Sequence, residues 1–143
     1  MEILNVEGSF KWDNYYLLGD EVVDEQHHKL LDMVNSLIES CENGTDKEKL
    51  KDTLDFLVNY AIEHFTYEET LQLKYNYPEY EKHKKMHAEF KMVVAGLIQE
   101  FNKTGSSSEL SKDINKFILK WLIKHILHED KKIGIYIKNI NNV

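Results

Sequence analysis

Five of the chain's seven histidines, with one glutamate and one aspartate, fall at spacings that could bring seven metal-ligating side chains together. They are His27, then His64 with Glu68, then His83 with His87, then His125 with Asp130. A set of imidazoles and carboxylates with no thiolate argues against iron–sulfur clusters and structural zinc sites. Seven donors also exceed what a single copper or zinc ion takes. They suit two six-coordinate ions that share bridging carboxylates, with iron or manganese as the natural candidates. The residues therefore read as a dinuclear site, most simply di-iron. The carboxylate-rich di-iron bundles use two E-x-x-H motifs. Here only Glu25–His28 matches, once and off the apolar stripe, so that class is disfavoured.

These side chains must be positioned by helices, and the hydrophobic pattern supplies four. Val23, His27, Leu30, Val34, Leu37 and Cys41 step by fours and threes from a start at Asp20, and Asn43-Gly44 ends the stripe. A second helix opens at Thr45 or Asp46, both suitable caps, and carries Leu50, Leu54, Leu57, Ala61, His64, Glu68 and Leu71. Pro78, the only proline, fits the opening turn of a third helix bearing His83, His87, Phe90, Val94, Leu97 and Phe101. Thr104–Ser108 is a loop whose serines can cap a fourth helix with Ile114, Ile118, Trp121 and His125. Short loops between helices predict an all-α, antiparallel up-down-up-down four-helix bundle. The whole chain, 1–143, reads as one domain: an aromatic N-terminal arm over 1–19 (Phe10, Trp12, Tyr15, Tyr16), the bundle over 20–131, and a short helical tail over 132–143.

The ligand reading competes with ordinary packing. A lone buried histidine is more often a hydrogen-bonded core residue than a ligand. His64/Glu68 and His83/His87 are each four apart, so each pair shares a helix face, and both lie on the apolar stripe. Four helices each placing such a group inward is a different matter, because unpaired buried polar groups cost several kcal/mol apiece. His125 and Asp130 are harder. Five residues span about 140° of an ideal helix, so both face inward only if the helix ends or bulges between them. Spacing alone leaves Asp130 open between ligand and solvated charge, with His128 a rival for the inward place. His28 sits off the first stripe, and Cys41 reads as a small core residue.

Composition narrows the partners. Net charge is -7, from 25 acidic and 18 basic residues, with no basic stripe, which argues against nucleic acid. The single cysteine excludes an internal disulfide and fits a reducing compartment. Met1–Phe10 lacks a signal-peptide pattern, and no apolar run is long enough to span a membrane, so the expected location is the cytoplasm. No nucleophile–base arrangement or phosphate loop is visible, so the chain does not read as an enzyme.

Taken together, Val23-Asp24-Glu25-Gln26-His27, His64-x-x-x-Glu68, Tyr77-Pro78 leading to His83-x-x-x-His87, and Trp121-Leu122-x-x-His125-x-x-x-x-Asp130 resemble the hemerythrin family, most closely the bacteriohemerythrins. The upstream Trp12 arm is also similar, and the match covers nearly the whole chain. The resemblance implies two irons. His83, His87 and His125 would bind one, and His27 and His64 the other. Glu68, Asp130 and an oxo or hydroxo group would bridge them. It thereby favours Asp130 over His128 and leaves an open position for dioxygen. Leu30, Leu31, Phe65, Trp121, Leu122 and Ile126 flank the ligands and are candidates for the walls of an oxygen pocket, with plain core packing the alternative for each. The function implied is reversible dioxygen binding for storage, transport or delivery; the resemblance permits a monomer, and a downstream oxygen-using enzyme is a candidate partner. The alternatives are an oxygen-sensing interaction module and a di-iron oxidoreductase acting on peroxide or nitric oxide.

Overall fold

The computed structural model describes residues 17–44 and 46–141, so most of the expected aromatic arm, with Phe10, Trp12, Tyr15 and Tyr16, lies outside the described residues. Three long helices come first: α1 (Glu21–Glu42), α2 (Lys47–Lys74) and α3 (Tyr80–Thr104). A fourth rod follows in five consecutive segments. These are α4 (Ser107–Asp113), a π turn (Ile114–Leu119), α5 (Lys120–His125), a second π turn (Ile126–Asp130) and α6 (Lys131–Asn141). α1 packs on α2 and on the fourth rod, and α3 packs on the same two, closing a ring of four. Connections of a few residues reverse the chain each time, which makes the bundle antiparallel.

The helix ends follow from local chemistry. The Asp20 carboxylate accepts the Val23 N–H at 3.0 Å and the Asp46 carboxylate that of Lys49 at 3.4 Å, each satisfying a donor that the first turn leaves free. Glu21 and Asp24 add negative charge at the positive end of α1. Gly44 and Gly105 take positive φ where the first and third helices stop. Ser106 then caps α4 by accepting from Glu109 N–H. Pro78 differs from expectation by two residues. It lies in the turn Tyr77–Tyr80, closed by Tyr80 N–H to the Tyr77 carbonyl, and α3 begins only afterwards.

The apolar stripes meet in one continuous core. Leu30, Val34, Leu37, Leu50, Leu54, Ile114 and Ile118 are all essentially inaccessible. The expected stripes underestimate it: Leu31, Ile38, Phe65, Leu119, Leu122, Ile123 and Ile126 are buried too. The inward face is therefore wider than a two-position seam, as globular bundles require. The tail is helical through Asn141, the last described residue, and α6 continues the fourth rod without a break. Gly134 in α6 allows the backbone of Leu18 to lie directly against the rod, since a Cβ there would meet the Leu18 carbonyl oxygen.

Candidate metal centre

All seven candidate ligands converge in the core. α1 contributes His27, α2 His64 and Glu68, α3 His83 and His87, and the fourth rod His125 and Asp130, each at most 5% exposed. The other two histidines point elsewhere. His28 lies in solvent beside Asp32, and His128 is exposed on the outer surface.

The second π turn decides between His128 and Asp130. Across it Lys131 donates its backbone N–H to the Ile126 carbonyl five residues back, rather than four. The wider turn returns a five-residue step close to the face it left, so His125 and Asp130 both face the core. A step of three, to His128, is turned outward. Inserted π turns of this kind recur where a helix must aim side chains at a functional site.

Each carboxylate divides its two oxygens between two groups of imidazoles. Glu68 Oε1 lies 2.7 Å from His83 Nε2 and 3.1 Å from His87 Nε2, while Oε2 lies 3.5 Å from His27 Nε2 and 3.4 Å from His64 Nε2. Asp130 does the same, with Oδ1 2.9 Å from His83 and 3.0 Å from His125, and Oδ2 3.0 Å from His27. The donors thus form two overlapping sets. One is His83, His87 and His125 with both carboxylates, and the other is His27 and His64 with the same carboxylates.

This donor set fits two cations. His27 Nε2, Glu68 Oε2 and Asp130 Oδ1 are buried without a hydrogen-bond partner among the described residues, although their neighbours are close. They are aimed past one another. His125 Nε2 also faces His83 Nε2 at 3.1 Å and His87 Nε2 at 3.3 Å, a convergence of ring nitrogens that a shared cation would satisfy. Without metal, protons on His27 and His83 balance the carboxylates. Burial works to lower His27 and His83, but the Asp130 and Glu68 carboxylates outweigh it and pull them up to about 9 and about 10. Burial prevails at His64, which is lowered. Burial opposes ionisation of Glu68 and Asp130 too, yet the surrounding histidines hold both carboxyls below their usual range.

A frame of hydrogen bonds and aromatic rings fixes the imidazoles. His87 Nδ1 donates to Glu69 Oε2 and His64 Nδ1 to Gln26 Oε1, each at 2.8 Å. Both bonds place the proton on Nδ1 and leave the Nε2 lone pair for the centre. Phe65 stacks on His87 with centroids 4.0 Å apart, and Trp121 on His125 at 4.4 Å. Sequence reasoning did not single out Glu69 or Gln26. Each is adjacent to a ligand, at 68 and 27, and that adjacency is the only signal the chain offers.

Of the six expected pocket residues, Leu30, Phe65 and Leu122 line a small apolar cavity of about 20 Å³ between the helices, together with Leu57, Ala61 and Phe90. Leu31 and Ile126 are fully buried core. Trp121 instead lines a surface cleft beside His125 and His128.

Comparisons with known proteins agree with this geometry. Residues 18–134 match the family model described as the hemerythrin HHE cation binding domain. A bacteriohemerythrin of Methylococcus capsulatus is 33% identical over 111 residues, which cover 78% of this chain and 82% of the relative. A hemerythrin-like protein of Naegleria gruberi is 33% identical over 127 residues, 89% of this chain and 92% of the relative. A crystal structure of wild-type hemerythrin superposes with a TM-score of 0.78 at 30% identity, covering 88% of this chain and 95% of that one. The chain belongs to the hemerythrin family and is a di-iron, oxygen-binding domain.

Proposed function

We propose that this protein binds dioxygen reversibly, as a store or carrier rather than as an enzyme. His83, His87 and His125 would hold one iron, His27 and His64 the other, and Glu68 and Asp130 would each offer one carboxylate oxygen to either side. The observation that carries the reading is the unequal division of five imidazoles across two shared carboxylates. The set with two histidines has one protein donor fewer, and that deficit is the place for an exogenous ligand. A pair of ferrous ions supplies the electrons that dioxygen binding draws on. The protein's part is to hold, orient and keep dry.

The orienting groups are already in position. Gln26 and Glu69 set the tautomers of His64 and His87, and Phe65 and Trp121 fix ring planes. The apolar cavity starts one helical turn from the two-histidine set, since Leu30 follows His27 by three residues and Ala61 precedes His64 by three. Its volume of about 20 Å³ suits one small molecule, and its hydrocarbon lining offers water no partners. Exclusion of water protects the bound state from hydrolytic loss. All seven ligands come from one chain, so the site is complete without a residue from a second copy.

Anaerobic loading with ferrous iron, followed by admission of air, tests the proposal. The expected result is two irons per chain and a visible charge-transfer band that appears in air and fades under vacuum. One zinc per chain, or a ferrous form whose spectrum ignores air, would refute it. Steady turnover of peroxide or nitric oxide, far above the rate of autoxidation, would move the assignment to an oxidoreductase.

A further inference from the structure

The outer nitrogens of the imidazoles are not treated alike. His87 Nδ1 donates to a carboxylate, Glu69, and His64 Nδ1 donates to a neutral amide, Gln26, at the same 2.8 Å. His27 Nδ1 has no partner among the described residues. A carboxylate acceptor draws the Nδ1 proton more strongly than an amide does, and leaves the ring a better electron donor through Nε2. Glu69 is only 17% exposed, so solvent screens its charge weakly. Phe65, stacked on His87 at an interplanar angle of 12°, keeps the ring from turning away from it. The charged acceptor therefore serves the three-histidine set and the neutral one serves the two-histidine set.

We propose that Glu69 is a positioning residue that acts through His87 to make the three-histidine position the more readily oxidised of the two. Gln26, its neutral counterpart on His64, keeps the two-histidine position in the ferrous state. The inference rests on the assignment of two irons proposed above. It concerns electrons rather than oxygen. When the diferrous protein gives up one electron to ferricyanide, the iron held by His83, His87 and His125 becomes ferric and ferricyanide becomes ferrocyanide. No bond is made or broken, and the Nδ1 proton of His87 stays shared with Glu69.

Spectroelectrochemistry of the iron-loaded protein and of Glu69→Gln tests this. The glutamine keeps an acceptor for Nδ1 but removes the charge. The equilibrium constant for the first one-electron oxidation is expected to become less favourable on the order of tenfold, a rise of 59 mV, with the second step moving less. Glu69→Asp, which restores the charge, should recover part of the shift. Gln26→Glu should act in the opposite sense, easing oxidation of the two-histidine iron and narrowing the gap between the two steps. The exchangeable Nδ1–H resonance of His87 should move in Glu69→Gln, and that of His64 in Gln26→Glu. If either substitution leaves both potentials in place, or Glu69→Gln shifts both steps equally in a protein that still holds two irons, the proposal is overturned while the di-iron assignment stands. A protein that takes up no pair of irons overturns both.

Discussion

Iron loading should release protons, and the count follows from the contacts around His27 and His83. In the metal-free protein both rings face Asp130 and Glu68, and both are raised, to about 9 and about 10, so both carry a proton at pH 7. The two imidazolium charges balance the two buried carboxylates. A bound cation needs the Nε2 lone pairs, so these two protons must leave when it enters. A bridging hydroxide drawn from water would add a third. Between about pH 7 and 8, where both rings are still protonated, the apparent affinity for the metal pair is therefore expected to rise about 100-fold per pH unit, and less steeply as pH passes 9. At 1.36 kcal/mol for each proton, that is about 2.7 kcal/mol per unit. Anaerobic titration calorimetry in two buffers of different ionisation heat, at one pH, counts the protons directly. A count below two, or an affinity flat over that range, would refute the description of the site. The same shifts set the pH profile of metal-free stability. Raised histidines contribute fully below about pH 6.5 and lose that contribution as pH climbs through 9 to 10. Lowered carboxyls contribute above about pH 4.5 and lose it as pH falls. Burial lowers His64, which costs stability as pH falls below about 6.5, so metal-free protein should be most stable near the upper of those limits, and loading should move the optimum upward.

Other substitutions probe separate parts of the structure. Asp130→Asn should abolish binding of the second metal, whereas His128→Asn should leave two irons per chain; metal analysis of the purified variants decides it. Phe65→Ala removes the ring stacked on His87 and enlarges the apolar cavity, so unfolding in urea should show a loss of about 3–5 kcal/mol, with faster autoxidation of the loaded protein. Gly134→Ala should cost about 1–3 kcal/mol in the same assay, because the added methyl meets the Leu18 carbonyl and must push the chain off the rod. Cys41 is buried and its thiol is pushed up to about 11, by burial first and by Glu42 second, so a thiol reagent at neutral pH should modify it only as fast as the chain opens.

Four helices and six of the seven converging side chains are legible along the chain, because a helical stripe is a local property. Its period of three and four residues belongs to the backbone itself, and a histidine on that stripe is inward wherever the helix packs. The residue types also carry the chemistry, since nitrogen and oxygen donors without thiolate already point to a dinuclear iron or manganese site. Asp130 was not legible in the same way. On an ideal helix it shares no face with His125, and only the packed fourth rod, with its π turn over Ile126–Asp130, brings the two together. The pairings of Glu69 with His87 and Gln26 with His64 were hidden for a related reason, since each joins residues on different helices, 18 and 38 positions apart. So too was the division of each carboxylate between two groups of histidines. Sequence determined which groups enter the core, through periodicity. Tertiary structure decided which atom faces which, because distances between helices depend on how all four pack at once.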